Sequence, residues 1–259
     1  MTWRRIRAWH ALVFAAYLLV AANRLFAADA IAPQERLKAA DASQLGYVFG
    51  FSTFRPQYES PPPGSYRLPV ISSPSDHAVL DSDGTPTTLL RLKGNRLAVV
   101  NFIYTSCSEA TGCPFSRSVL ERVDRVVAGD PDLAHRVTLI TVSFDPTRDT
   151  PQRMATLQTF HHPRSDWHFA TTRSEQEIVP ILDDFDQPVA KLRFPDGQWS
   201  GVFRHVLKVF LLDGESRVRD IYSVGLLNPD LVIADLRTLV IEQKKRAEMS
   251  VSAASRSRR

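Results

Sequence analysis

The stretch LAVVNFIYTSCSEATGCPFSRSVLERV, residues 97–123, passes from an apolar run through a short polar loop into a helical pattern. Residues 97–104 are rich in β-branched and aromatic side chains, which is typical of a strand buried on both faces. Beyond Pro114, four valines share one face of a helix: Val119, Val123, Val126 and Val127. The stretch therefore predicts a strand, a loop and a helix in direct succession, an arrangement typical of α/β folds.

The same alternation continues along the chain. A hairpin turning at Asp83-Gly84 precedes the stretch. After it we predict a buried strand at 137–144, a helix with Pro151 in its first turn, a short strand at 167–172 and a helix after Ser174. An antiparallel pair of strands on either side of Gly214-Glu215 follows, and a last helix begins at Pro229. This is the thioredoxin order, so the sequence predicts an α/β, thioredoxin-like fold with a central mixed sheet and helices on both faces.

The N-terminal residues 1–28 have the composition of an export signal. A basic start, MTWRRIR, leads into a twelve-residue apolar run at 11–22 and then into small residues. This is the layout of a secretory signal peptide, and a retained N-terminal anchor is the alternative. Either would place the chain in the periplasm or cell envelope, and a retained anchor would attach it to the inner membrane. In such a compartment a disulfide can form.

Three further segments complete the predicted domain organisation. Residues 29–68 form an extension or linker, in which three consecutive prolines at 61–63 favour an extended spacer. Residues 69–243 form the thioredoxin-like domain, and residues 244–259 form a basic polar tail. The net charge of +4 equals the number of arginines in the first 28 residues, which hold no acidic residue, so the remainder is neutral. Nucleic-acid binding would need a concentrated basic face. The one basic cluster lies in the tail, where a solvated chain end is the favoured interpretation and a binding arm is the alternative.

The chain has only two cysteines, Cys107 and Cys113, and both lie in the loop after the first buried strand. That loop leaves the carboxyl end of the predicted sheet, where open α/β sheets place their sites. Cys113 precedes Pro114 and stands at the predicted helix N-terminus. The partial positive charge there lowers a thiol pKa, so we expect Cys113 in particular to be reactive.

Two chemistries fit this cysteine pair. One is a reversible Cys107–Cys113 disulfide. The other is a metal site, which needs a third donor, and His205 is the one of seven histidines whose predicted place converges on the thiols. We expect His205 to open the apolar strand HVLKVFLL in the later hairpin. Asp145 and Asp149 are expected to build a turn and to cap the next helix.

Taken together, NFIYTSCSEATGCP, VSFDPTRDTP and the strand-opening His205 resemble the Sco/SenC family. These are thioredoxin-like copper-binding proteins of the bacterial envelope and mitochondrial inner membrane, linked to cytochrome c oxidase assembly. The resemblance runs from about Leu80 to Leu239. It implies that copper, as Cu(I) or Cu(II), is held by Cys107, Cys113 and His205.

Two features of the sequence differ from the usual family pattern: the spacing of the cysteines and the residue before His205. The cysteine spacing is C-x5-C where the family usually has CxxxC, and Arg204 stands where an acidic residue is usual. The longer loop is compatible with both sulfurs reaching one ion, and Gly112 supplies backbone freedom beside Cys113.

The resemblance implies an accessory protein, not an enzyme: a metallochaperone that delivers copper to a cytochrome c oxidase copper centre. Its partners would be an oxidase subunit or another copper chaperone, and its N-terminal segment could contact the membrane. The alternative is a thiol–disulfide oxidoreductase, or a redox sensor, that uses Cys107 and Cys113 as its redox pair. A plain structural disulfide would close too short a loop to stabilise much, and Thr105 and Arg117 are too generic to indicate a peroxidase.

Overall fold

The computed structural model describes residues 58–109 and 112–257, so the predicted signal segment and most of the predicted linker lie outside the described residues. The strands and helices in these residues follow the predicted alternation. They are β1 (Ala78–Leu80), β2 (Pro86–Thr88), α1 (Leu89–Lys93), β3 (Leu97–Ile103), α2 (Cys113–Gly129), α3 (Pro131–Ala134), β4 (Val137–Ser143), α4 (Pro151–His161), β5 (Trp167–Ala170), α5 (Glu175–Asp184), β6 (Val189–Arg193), β7 (Trp199–His205), β8 (Lys208–Leu212), β9 (Val218–Ser223) and α6 (Pro229–Ser257).

A mixed five-stranded sheet forms the centre of the fold, with strand order β5-β4-β3-β8-β9. Strands β3, β4 and β5 are parallel, whereas β8 is antiparallel to both β3 and β9. Val99 lies in register with Leu139 of β4 on one side and with Leu211 of β8 on the other. The central mixed sheet that the sequence predicts is therefore confirmed.

Both faces of this sheet are covered, as neighbouring residues of β3 show. Successive side chains of a strand point to opposite faces. Asn101 Nδ2 donates a hydrogen bond to Ser116 Oγ of α2 at 3.2 Å. The next residue, Phe102, packs edge-on against Phe185, which follows α5, with ring centres 5.2 Å apart. Strand β3 is thus buried between α2 on one face and the end of α5 on the other.

The helix α2 packs through the predicted valines. Val119, Val123 and Val127 are buried and Val126 is half-buried. All seven residues of β3 and all seven of β4 are also buried, as expected for strands covered on both faces. The core that fixes the carboxyl ends of these strands is therefore formed by the elements that the apolar patterns predict.

Strands β6 and β7 form a separate antiparallel hairpin that the sequence analysis missed. As a result, the predicted place of His205 is wrong: it is the last residue of β7 and does not open β8, which begins at Lys208. The hairpin turns at Gly197, whose φ of 83° favours glycine. The dipeptide Asp196-Gly197 was a usable turn signal, but most residues of β6 and β7 are exposed or half-buried, so no clear apolar pattern marked either strand.

Parts of the predicted linker and tail contact or extend the domain. In the segment before Leu68, Gly64 N donates to Thr238 Oγ1 of α6 at 2.9 Å, and Tyr66 Oη donates to Asp235 Oδ1 at 2.5 Å. Helix α6 continues to Ser257, well past residue 243, where the predicted domain ends. Among the helices of residues 58–109 and 112–257, none has the length and apolar character needed to cross a membrane.

Candidate metal centre

Cys107, Cys113 and His205 come together at the carboxyl end of β3. One ligand atom from each residue lies within 4.8 Å of the other two. Cys113 Sγ lies 3.9 Å from His205 Nε2. Both cysteines are free thiols in this structure. The structure therefore brings together all three residues that the sequence singled out, and their pairing as a disulfide in an oxidised form stays a prediction.

The loop that carries Cys107 is held by its own backbone. Cys107 N donates to Tyr104 O at 3.2 Å, and Gly112 N donates to Glu109 O at 2.9 Å. A Cβ at position 112 would lie 3.4 Å from Cys107 Sγ and 3.3 Å from Glu109 O, which is closer than most real Cβ contacts. A glycine at position 112 therefore lets the chain pass close to the Cys107 sulfur on its way into α2.

Cys113 is the first residue of α2, and a buried chain of hydrogen bonds fixes that end of the helix. Ser116 Oγ donates to Cys113 O at 3.0 Å and accepts from Asn101 Nδ2 of β3. Asn101 Oδ1 in turn accepts from Thr141 Oγ1 of β4 at 2.7 Å. Because these polar groups are buried, breaking one of these bonds would leave an unsatisfied group. The start of α2 is thus tied to the two central strands.

His205 is held at the end of β7 by an aromatic cluster. Its ring centre lies 5.2 Å from that of Phe144 and 5.8 Å from that of Tyr104. Phe203, two residues earlier on the same side of β7, packs against both of these rings at 5.3 and 5.1 Å. The exposed Arg204 lies between them in sequence, and alternation along the strand directs it to the opposite side. The imidazole therefore packs against two aromatic rings, and Arg204 lines the same surface groove as His205.

The two thiols differ in acidity, and the difference is opposite to the one expected from the sequence. The pKa of Cys107 is lowered because the Cys113 thiol donates a hydrogen bond to its sulfur, with further hydrogen bonds from His205 and from backbone groups of Cys113 and Glu109; burial opposes this shift. The pKa of Cys113 is raised by its hydrogen bond to Cys107, by burial and by the charge of Cys107. The direction of these shifts runs against the expectation that the helix N-terminus makes Cys113 the more acidic thiol.

The difference in acidity between the two thiols depends on which sulfur accepts from the backbone N–H groups at the start of α2. The backbone N–H of Cys113 donates to the Cys107 sulfur, so the favourable electrostatics of the helix start act on the neighbouring cysteine. Burial and the hydrogen bond to Cys107 together raise the pKa of Tyr104 to about 12, which keeps that phenol a donor. The hydrogen bonds thus favour the charged form of Cys107 and the neutral form of Cys113.

The turn between β4 and α4 contributes residues whose role the sequence analysis missed. Arg148 N and Asp149 N both donate to Asp145 O, at 3.1 and 2.8 Å, so the predicted turn is confirmed. The cap of α4, however, is Thr150. The carboxylate of Asp149 is buried and accepts from the backbone N of Thr105 at 2.9 Å. This bond joins the turn to the cysteine loop across a separation of 44 residues, which no local pattern reveals.

Three other histidines contact carboxylates and lie outside the cluster of Cys107, Cys113 and His205. His77 lies 2.6 Å from Asp184, and His161 lies 2.6 Å from Glu121. The ring nitrogens of His168 lie 3.0 and 3.3 Å from two carboxylates, those of Asp81 and Asp166. In the part of the chain that the structure describes, Cys107, Cys113 and His205 form the one cluster of this kind that could hold a metal ion. Two sulfurs and one imidazole are donors that suit a soft ion.

The comparison with known protein families agrees with this geometry. The SCO1/SenC family model matches residues 72–241 of the chain. The chain belongs to the SCO1/SenC family. The resemblance found in the sequence, over about Leu80 to Leu239, is confirmed, and no curated protein matches this Sco/SenC chain significantly.

Solved structures show the same fold. A SCO1/SenC family lipoprotein from Bacillus anthracis shares 24% identity, covering 68% of this chain and 99% of that one, with a TM-score of 0.56. Bradyrhizobium japonicum ScoI with copper bound shares 23% identity, covering 65% and 99%, with a TM-score of 0.53. BsSco, a member of the Sco family of cytochrome c oxidase assembly proteins in which a disulfide switch is identified, shares 22%, covering 68% and 98%, with a TM-score of 0.53. These likenesses confirm the thioredoxin-like fold of this Sco/SenC protein.

Proposed function

We propose that this Sco/SenC protein binds one copper ion through Cys107, Cys113 and His205 and hands it to a copper centre of cytochrome c oxidase. The observation that carries the proposal is the approach of two sulfurs and one imidazole nitrogen to within 4.8 Å of one another. Cu(I) is soft and accepts thiolate ligands together with an imidazole. Two Sco relatives, from Arabidopsis thaliana and Bradyrhizobium japonicum, have structures with copper bound, which supports the same ion here.

The electrostatics of the pair suggest how an ion enters. The lowered pKa of Cys107 favours its thiolate, so Cys107 would be the first sulfur to bind an incoming cuprous ion. Cys113 then gives up its proton to become the second sulfur ligand, because metal ligands must be deprotonated. His205 supplies the nitrogen. Metal binding at this centre therefore releases a proton from the cysteine pair.

The surface beside His205 gives a route for transfer. A groove of about 500 Å³ runs along the imidazole between α5 and the base of the β6–β7 hairpin. His205 is half-buried, whereas Cys107 and Cys113 are 7% and 1% exposed. A recipient would therefore meet the imidazole side first. Access of this kind suits a site that passes its ion on.

The recipient and the location form the finer part of the proposal. BsSco is a member of the Sco family of cytochrome c oxidase assembly proteins. By that analogy, an oxidase subunit or another copper chaperone is the proposed partner. The signal-like or anchor-like residues 1–28, together with a lipoprotein among the relatives, support the periplasm or cell envelope as the place of action.

Metal titration tests the binding step. Reduced full-length chain is titrated with Cu(I) under anaerobic conditions against a competing chelator, in wild type, in His205→Ala and in His135→Ala. The control His135 is exposed and lies just after α3, outside the cluster. We expect one copper per chain, binding weakened by about tenfold or more in His205→Ala, and wild-type affinity in His135→Ala. Equal affinities in all three proteins would contradict the proposed ligand set.

Thiol–disulfide exchange is the second candidate function, favoured by the two free cysteines and the lowered pKa of Cys107. Cys107 would attack a partner disulfide and form a mixed disulfide, releasing one partner thiolate. Cys113, after losing its proton, would then displace the second partner sulfur. The partner disulfide is thereby reduced to two thiols while Cys107 and Cys113 are oxidised to a disulfide. Copper binding unaffected by His205→Ala, with the cysteine pair still exchanging with a dithiol, would favour this function.

A further inference from the structure

The turn of residues 145–149 contacts both halves of the candidate metal centre through two consecutive side chains. Asp149 faces the cysteine loop: its carboxylate accepts from Thr105 N at 2.9 Å and from Thr105 Oγ1 at 2.5 Å. Thr105 lies two residues before Cys107. Asp149 is 1% exposed, and Ser143 Oγ at the end of β4 also donates to it at 2.6 Å. The cysteine loop is therefore fixed to this turn.

Arg148 faces the β6–β7 hairpin, which ends in His205. Its guanidinium carbon lies 4.3 Å from the centre of the Trp199 ring. Its Nη2 donates to Gly201 O at 3.0 Å, and its Nε is bonded to Asp145, which holds the guanidinium in place. Arginine suits this role because its planar fork can stack on an aromatic ring and donate hydrogen bonds at the same time.

Among the described strands, β6 and β7 pair with each other and are not part of the central sheet. Lys191 of β6 also lies 2.5 Å from Glu175 of α5, whereas Arg148 contacts the hairpin at Trp199 and Gly201 of β7. Gly201 has a φ of 84°, a backbone conformation that favours glycine. A Cβ at this position would lie 3.5 Å from Arg148 Nη1, so β7 passes close to the guanidinium there. Beyond Gly201, Phe203 packs on Tyr104 and Phe144, and His205 follows.

We propose that Arg148 is a positioning residue for the metal centre, holding the hairpin that carries His205 against the same turn that holds the cysteine loop. The inference rests on the proposed copper-binding function. In this arrangement two consecutive residues of the turn share the task. Asp149 positions the loop that carries Cys107, and Arg148 positions the hairpin that carries His205. Outer-shell partners of this kind commonly change metal affinity by about 10- to 100-fold.

The variant Arg148→Met keeps much of the side-chain length but removes the cation and the hydrogen bonds. Its matched control is Arg193→Met, which removes an arginine from the same hairpin. Arg193 donates to Gly197 O at 2.8 Å at the tip, away from the turn. We expect Cu(I) binding to weaken by about tenfold in Arg148→Met and to stay at the wild-type value in Arg193→Met.

A double-mutant cycle separates positioning from general destabilisation. If Arg148 acts through the imidazole, Arg148→Met should weaken binding in wild type but cause no further loss in His205→Ala. An equal loss in both backgrounds would overturn the inference and indicate a structural role. A metal-free readout accompanies the cycle: amide hydrogen exchange at residues 199–205 should become faster in Arg148→Met and not in Arg193→Met.

The possible results separate the positioning role of Arg148 from the proposed copper-binding function. Wild-type protein that binds no copper would overturn both. Wild-type protein that binds one copper, with Arg148→Met equal to it in affinity and in exchange, would overturn the positioning role alone. Weaker binding confined to the background that retains His205, together with faster exchange in β7, would support it.

Discussion

Cys113 Sγ and His205 Nε2 lie 3.9 Å apart although 92 residues separate them in the chain. Neither residue reaches this position through local structure alone. Cys113 begins a helix tied to β3 and β4 by buried hydrogen bonds, whereas His205 ends a hairpin that stands apart from the central sheet. The candidate site therefore forms where a helix anchored to the central sheet meets a hairpin outside that sheet.

Alkylation should distinguish the two thiols. In the reduced, metal-free chain, we expect iodoacetamide to modify Cys107 about tenfold faster than Cys113, because the thiolate is the nucleophile. The lowered pKa of Cys107 keeps it deprotonated in mildly acid solution, so its advantage should persist at about pH 6. Mass spectrometry of the labelled peptides measures the two rates. Faster labelling of Cys113 would contradict the assignment of the thiolate.

The close approach at Gly112 should make this position sensitive to a single methyl group. The substitution Gly112→Ala places a Cβ 3.4 Å from Cys107 Sγ, so we expect weaker Cu(I) binding as the loop shifts to relieve the contact. The matched control is Gly129→Ala at the end of α2, where an added Cβ meets nothing within 4 Å. Competition titration measures both affinities. An unchanged affinity in Gly112→Ala would show that the loop accommodates the methyl group freely.

The buried hydrogen-bond chain predicts a large loss of stability at Asn101. Asn101→Leu removes the acceptor of the Thr141 hydroxyl and one of the two hydrogen bonds of Ser116 Oγ in the buried core. We expect the free energy of unfolding to fall by about 2–3 kcal/mol, since unsatisfied buried groups carry their full desolvation cost. Urea denaturation of Asn101→Leu and of Asn95→Leu, at an exposed position, provides the measurement and its control. A loss no larger than that of the control would refute the importance of this chain.

His168 should make stability depend on pH. Hydrogen bonds to Asp166 and Asp81 raise its pKa to about 9, so the fold favours the protonated ring. That contribution is complete below an ordinary histidine pKa of about 6.5 and is lost as the pH rises through about 9. We expect His168→Gln to lower the free energy of unfolding by about 2 kcal/mol at about pH 6 and by much less at about pH 10. A difference that is constant over this range would contradict the ion-pair explanation.

The sequence predicted those parts of this structure that depend on continuous apolar patterns. Strands β3 and β4 are buried along their whole length, and α2 buries three of the four expected valines. The hairpin β6–β7 was not predicted because most of its residues are exposed or half-buried, so its strands lack a clear apolar pattern. The placement of His205 within its strand was wrong for that reason.

The electrostatics of the site lay beyond what spacing can predict. A helix N-terminus predicts an acidic thiol nearby, but whether Cys107 or Cys113 benefits depends on which sulfur the N–H groups face. The bond between Thr105 and Asp149 likewise joins residues 44 positions apart. Such relationships follow from the folded arrangement of side chains, which a single sequence does not display.

X-ray absorption at the copper edge tests the central claim most directly. The reduced full-length chain loaded with one Cu(I) should show two sulfur ligands and one nitrogen ligand, and the nitrogen should disappear in His205→Ala while both sulfurs remain. A wild-type spectrum with no nitrogen ligand, or with only one sulfur, would contradict the site described by Cys107, Cys113 and His205.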